Sequence, residues 1–379
     1  MFPRLAAALA LTILMTLCLS GGAALAGSLP ATVTDLAGRS VSVPKQVNRI
    51  ILGEGRIAVA LAILDPADPL KGVVGAMGEF PLLDPTGYAL WAEKFPAIKD
   101  IPAVGKASAT SFSVEQALSL RPDLAILTLA GHGPTPKDEE VIRQLEAAGV
   151  TVAFIDFFLD PLVNTPKSIA LLGALLGKPT EADAFVSTYQ AELRRVTDRL
   201  TATTPRPLVF LENRVGLQGD CCASIGQGVL ATMIEAAGGR NLATGLIPGQ
   251  SGLISLEYLL THQPDVYVGT AIGNAATAGK MPDRIVLGHG VSAAVAQASL
   301  THSLSRTGIS TLTAVQQGRA HALWHHFVHS PFNVVAVQAL AQWIHPDLFR
   351  DLDPADTLRR MTTRFQPMPL NGTYWTSAP

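Results

Sequence analysis

Two segments of this chain spell one pattern of helix, turn and strand, and any fold must accommodate both copies. Ser113-Val-Glu115-Gln-Ala-Leu118-Ser-Leu-Arg-Pro122-Asp123-Leu-Ala-Ile-Leu is matched 142 residues later by Ser255-Leu-Glu257-Tyr-Leu-Leu260-Thr-His-Gln-Pro264-Asp265-Val-Tyr-Val-Gly. Each serine is placed to cap a helix, and each glutamate falls in the positive first turn. Each Pro-Asp ends the helix and turns the chain into a strand. Two copies at domain spacing imply two similarly built α/β lobes.

Between the copies runs the longest helical pattern of the chain. Phe185, Tyr189, Leu193, Val196 and Leu200 make one apolar stripe. A shorter helix over Pro166–Leu176 is closed by Gly177 and Pro179. The lobes are therefore expected to be joined by a helix that restricts their swing. Strand-length apolar runs occur at Arg49–Leu52, Gly72–Gly75, Leu124–Leu127 and Val150–Ile155 in the first lobe. Pro207–Leu211, Val266–Val268 and Ala320–Leu323 are their counterparts in the second. Runs flanked by helices favour mostly parallel, Rossmann-like sheets covered on both faces, with ligands at the carboxyl ends of the strands. The expected division is a signal peptide over 1–26, an N-terminal lobe over 27–165 and a connecting helix over 166–203. A C-terminal lobe over 204–345 and a C-terminal helix and tail over 346–379 complete it.

The N-terminus reads as an export signal. Arg4 precedes the apolar run Leu5–Leu19, and Ala24-Leu25-Ala26 offers a small-x-small cleavage site before Gly27. The run is shorter than the roughly 20 residues a membrane-spanning helix needs. Cys18 follows the bulky Leu17, which suits a lipid-anchor site poorly, and no twin arginine is present. With a net charge of −2 and 15% charged residues, the chain carries neither a nucleic-acid footprint nor a polybasic membrane patch. Past the signal only Cys221 and Cys222 remain, as free thiols or as a vicinal disulfide, so no disulfide framework staples the fold.

The order of these parts resembles the periplasmic binding proteins of iron-siderophore, haem and cobalamin importers. The carrying residues are Val33-Thr-Asp35-Leu-Ala-Gly38 through Pro44, Asn48-Arg49-Ile50-Ile51 and Val104-Gly105 ahead of Ser113-Val-Glu115. The two Pro-Asp-strand units, Ala236–Asn241 and Ser330-Pro331-Phe332-Asn333 extend the likeness over the mature chain. The resemblance implies two lobes on a helical backbone, a ligand cleft between them, and docking to an ABC permease with its ATPase. It implies docking through Glu115 and Glu257, which also suit a plain helix start. It implies a periplasmic monomer whose ligand is an Fe(III) chelate, with no intrinsic cofactor. Molybdate or tungstate, haem and cobalamin are the alternative cargoes.

Candidate ligand contacts follow from position after a strand. Glu54 and Arg56 stand in Gly53-Glu54-Gly55-Arg56 after the first strand, and Arg214 follows the first strand of the second lobe. A guanidinium suits oxygen-rich anions because its planar fork stays charged and donates several bonds; a surface or salt-bridged arginine is the plainer alternative. Lys106, after Val104-Gly105, is a further candidate. Trp324-His325-His326-Phe327-Val328-His329 follows Ala320–Leu323 and offers His325, His326 and Phe327 as ligand contacts rather than as a bare-metal site. Gly53-x-Gly55-x-x-Ala58 loosely matches a dinucleotide loop, the only hint of an enzyme with a nucleotide-binding lobe. No G-x-S-x-G elbow or H-E-x-x-H pair accompanies it, so no catalytic residues are assigned.

Overall fold

The computed structural model describes residues 32–217 and 221–379; the expected signal peptide lies outside the described residues. The N-terminal lobe holds a five-stranded sheet in the order Ala103–Gly105, Val73–Met77, Ile50–Leu52, Leu124–Thr128, Thr151–Ile155. Every neighbouring pair in it is parallel. The C-terminal lobe repeats the plan with Arg240–Asn241, Leu208–Glu212, Val266–Ala271 and Ala320–Trp324, all parallel. A fifth strand, Trp375–Ser377, adds antiparallel at its edge. The central strands are buried along their whole length, as expected where helices cover both faces. The fold class is thus two α/β lobes with mostly parallel sheets.

In each sheet the chain order reverses beside the first strand of the lobe. The reversal separates Ile50–Leu52 from Leu124–Thr128 in one lobe and Leu208–Glu212 from Val266–Ala271 in the other. Loops leaving neighbouring strands part there and open a crevice at the carboxyl ends. That is where the cleft residues stand.

The apolar stripe forms a helix over Pro179–Thr197, six residues shorter than the expected limit at 203. Phe185, Tyr189 and Val196 are fully buried on it, each such side chain contributing about 1.5–3 kcal/mol. The preceding helix starts at Pro161 rather than Pro166, which lies inside it. Proline at the first helical position costs nothing, because that N–H has no intrahelical partner. Asp156 braces this start by accepting from the amides of Phe158, Leu159 and Asp160 and from Asn164.

The long helix meets both lobes and the C-terminal region. Tyr189 donates its hydroxyl to Asn333 at 2.6 Å, and Asn333 in turn donates to Thr165. Glu192, buried, accepts from Arg195, Gln338 and Arg360. Burial would raise its pKa, but those three bonds hold it below the usual carboxylate value. The C-terminal helix Pro354–Phe365 leads into a strap that crosses from one lobe to the other. Gln366 donates to the carbonyl of Val59, and Met368 packs with Ala58, Phe80 and Trp91 of the N-terminal lobe. Gly372–Thr373 then pairs with Gly288–His289 of the C-terminal lobe. At Gly372, with φ +148°, a Cβ would strike the carbonyl of Gly288, so only glycine closes this pairing.

Candidate binding cleft

The repeated helices carry Glu115 and Glu257 as the sequence suggests. Ser113 caps Val114–Ser119 by accepting from the amide of Gln116, and Ser255 caps Leu256–Thr261 by accepting from that of Tyr258. Both glutamates are exposed in the first turn.

Between the lobes lies a cleft of about 760 Å³. Arg56, His132 and Phe158 reach it from the N-terminal lobe; Asn213, Arg214, Arg284, His325, His326 and His329 reach it from the other. Three guanidinium groups and four imidazoles face this space, and no Asp or Glu is among the described residues that line it. Phe158 stacks on His329 across the lobes at 4.6 Å between centroids, with His132 5.9 Å from His329.

The N-terminal wall is a buried charged cluster. Glu54 accepts from Arg56 Nη2 at 3.3 Å and from the His132 amide at 2.7 Å. Glu79, fully buried, accepts from the amides of Gly55 and Arg56, and its carboxylate lies 3.6 Å from Arg56 Nε. Burial pushes both carboxyls upward. For Glu54 the bonds from His132 and the charge of Arg56 outweigh it and the pKa falls. For Glu79 the Glu54 charge adds to burial and the pKa rises. Gly131 is required beside them: at φ +155° its Cβ would run into the Glu54 carboxylate. Glu54 is therefore a brace behind Arg56 and His132; it lies outside the main cleft, in a small side recess beside Arg56 and His329.

The C-terminal wall is neutral imidazole and unpaired guanidinium. Arg214, at φ +52°, is exposed, and its amide donates to Thr270 at 2.6 Å. Neither its guanidinium nor that of Arg284 hydrogen-bonds to another described residue. His325 lies 3.2 Å from the Thr270 hydroxyl. Burial, reinforced by neighbouring positive charge, holds His325 and His329 well below the ordinary histidine pKa and His326 at about 3. All three are neutral at physiological pH, able to donate or accept at either ring nitrogen.

Two of the sequence candidates stand elsewhere. Lys106 is exposed after Ala103–Gly105, the far edge strand of its sheet, and does not line the cleft. Its strand lies two places from the reversal, so the loop it leads into is aimed outward. Phe327 is 1% exposed and packs edge-on against Trp324 in the core. The five residues His325–His329 form a 3-10 turn, in which positions three apart eclipse. His326 and His329, three apart, both face the cleft and His325 at the head of the turn lines it too, while Phe327 and Val328 are buried in the core.

Sequence reasoning missed three cleft residues. His132 follows the strand of the first repeat, so the rule that selected Arg214 applied to it as well. His329 stood in the noted histidine run. Arg284 follows no strand and carried no signal. Cys221 and Cys222 form a vicinal disulfide across a cis peptide bond, just before the strand Ala223–Ile225, whose last residue lines the cleft. Among the described residues no three His, Cys, Asp or Glu side chains converge as a metal cage.

Two α/β lobes bridged by a helix, with one ligand-sized cleft between their strand ends, define a two-lobed solute-binding protein. The pattern of the family described as periplasmic binding protein matches residues 88–319, and the chain belongs to that family. It is 23% identical over 329 residues to an uncharacterized ABC transporter substrate-binding lipoprotein, YvrC, of Bacillus subtilis, covering 85% of this chain and 88% of the relative. It is also 23% identical over 273 residues to the molybdate-binding protein MolA of Haemophilus influenzae, covering 67% and 72%. Among solved structures, a TroA-like periplasmic binding protein, FepB, from Veillonella parvula superposes with a TM-score of 0.80 at 25% identity. That superposition covers 92% of this chain and all of the other.

Proposed function

We propose that this chain is the exported solute-binding component of an ABC importer and that its cargo is an anionic metal chelate of the ferric-siderophore type. The observation that carries this reading is the lining of the cleft. Arg56, Arg214 and Arg284 converge from both lobes on about 760 Å³, with no carboxylate among the described residues that line it. Guanidinium forks match the oxygen arrays of carboxylate and catecholate ligands. The volume falls within the roughly 300–1,000 Å³ of sites that enclose drug-sized ligands, far more than one tetrahedral oxyanion fills. The neutral histidines supply contacts that do not add to the positive charge. The likeness to a relative described as an ABC transporter substrate-binding lipoprotein supports the importer partner, and exposed Glu115 and Glu257 supply matched acidic contacts for it.

Titrating the mature protein with ferric citrate, a ferric hydroxamate, cobalamin, haem and molybdate tests the reading, because Trp324 packs against His326 and reports on the cleft. Saturable quenching by a ferric chelate is the expected result. Saturation by molybdate, haem or cobalamin alone would overturn the siderophore-type assignment, and no response to any of the five would overturn the cargo class.

A further inference from the structure

The cleft joins cationic side chains to an apolar rim. Leu82 and Leu83 of the N-terminal lobe are 63% and 37% exposed, and Leu217 of the C-terminal lobe is 41% exposed. All three line the same space as Arg56, Arg214 and Arg284. A single exposed leucine is ordinary. Three that border one ligand-sized opening, drawn from both lobes, form the kind of apolar patch that marks a binding surface.

The fold builds these leucines into the same units that carry the arginines. Glu79 accepts from the amides of Gly55 and Arg56 and opens a short helix, Glu79–Leu83. Glu79 and Phe80 are buried, and the rest of that turn, Pro81-Leu82-Leu83, is exposed. Asp84 then caps the next helix, Pro85–Lys94, by accepting from the amide of Gly87, which fixes the corner. In the other lobe the amide of Leu217 donates to the carbonyl of Arg214, closing one turn that holds both side chains. Gly216 lies inside that turn at φ +75°, where a Cβ would strike the carbonyl of Asp283. The turn is therefore pressed against the segment that carries Arg284. In each lobe a guanidinium and an apolar rim are held at a fixed spacing.

We propose that the ligand is amphiphilic: its anionic head lies against the guanidinium groups, and an apolar limb lies along Leu82, Leu83 and Leu217. An occupant bound by charge alone would leave these leucines in water. One with an apolar limb gains up to about four-fold in affinity for each methylene it buries. The inference deepens the reading of the cleft as the cargo site and rests on it.

Butyl, hexyl and octyl sulfate, each kept below its micelle-forming concentration, are the probes, titrated calorimetrically into the mature protein. Octyltrimethylammonium carries the same tail on a cationic head. Because the rim covers a limb on one side only, about half the free energy of full burial is expected, or about two-fold per methylene. Octyl sulfate is thus expected to bind about fifteen-fold more tightly than butyl sulfate, and the cationic amphiphile not to bind. Leu82→Ser combined with Leu217→Ser, both at exposed positions, is expected to bring the ratio below about three-fold. Arg214→Ala is expected to weaken all three sulfates alike and to preserve the ratio. A ratio near one in the unaltered protein overturns the proposal, and so does an unchanged ratio in the leucine variant, as would follow if the rim served only the permease. Equal binding of octyltrimethylammonium also overturns it. Ferric citrate and a ferric hydroxamate titrated in parallel separate the two readings. A rim-dependent ratio without chelate binding keeps the apolar limb and sinks the chelate, chelate binding with a flat sulfate series sinks the limb alone, and no binding of either sinks both.

Discussion

In the N-terminal lobe the cleft arginine, Arg56, is 8% exposed and held between Glu54 and Glu79. In the C-terminal lobe Arg214 is exposed, and no described carboxylate pairs with it or with Arg284. The sheets share a reversal point beside their first strands and the same route from strand to cleft, so topology does not explain the contrast. The neighbours do. The loop after Ile50–Leu52 brings Glu54 with it, and Glu79 arrives from the adjacent strand, Val73–Met77. In the second lobe the register that pairs Ile50 with Leu124 and Val209 with Val266 puts Asn213, not a glutamate, at the place of Glu54. Glu212, one residue earlier, forms a bidentate pair with Arg306 at 2.7 Å, joined by the Tyr267 hydroxyl. One lobe thus presents a preassembled wall, and the other presents guanidinium groups with donors to spare.

The contrast breaks most visibly in stability. Arg56→Ala leaves two buried carboxylates without their shared cation and is expected to cost about 3–5 kcal/mol of folding free energy. Arg214→Ala removes no described ion pair and is expected to leave the melting temperature unchanged within error. Equal melting of the two variants would dissolve the distinction between a structural and a ligand-facing arginine. The next effect is on affinity: Arg214→Ala is expected to weaken an anionic chelate by about 1.5–3 kcal/mol, the range for a charge-assisted bond. Calorimetric titration showing no loss would remove Arg214 from the ligand's surroundings.

Acid sharpens the comparison further. His325, His326 and His329 have folded pKa values below the unfolded value of 6.5, so the unfolded chain binds protons that the folded one refuses. Their stabilisation is present above about pH 6.5 and is lost as pH falls toward 3, where His326 titrates. Glu79 and Asp84, raised by burial, work in the opposite sense. The measurement is therefore the difference between wild type and a His325→Asn, His329→Asn variant. The variant is expected to lose less stability between pH 7 and 5, and parallel curves would show that the histidines are not held neutral. The smallest effect belongs to the repeat: Glu115→Gln and Glu257→Gln are each expected to cost about 0.3–1 kcal/mol through the helix start.

Most of the fold was legible because its signals are local. The seven expected strands reappear within three residues of their expected limits, and both serine caps form, since a cap or an apolar run depends on neighbours in sequence. The strap was not legible. Short strands such as Gly372–Thr373 and Trp375–Ser377 carry little periodicity and exist because an open sheet edge and the pair Gly288–His289 receive them.

By itself, then, the sequence determined two α/β lobes, a helix between them, and the strand-end loops from which Arg56, Arg214, His325 and His326 reach the cleft. Only the tertiary structure decided that Glu54 braces rather than binds, that Phe327 belongs to the core, that Lys106 points away, and that Arg284 joins the site. The reason is geometric and electrostatic at once. Position after a strand tells where a loop starts, but burial and charge pairing depend on groups brought from far along the chain. No local pattern encodes them.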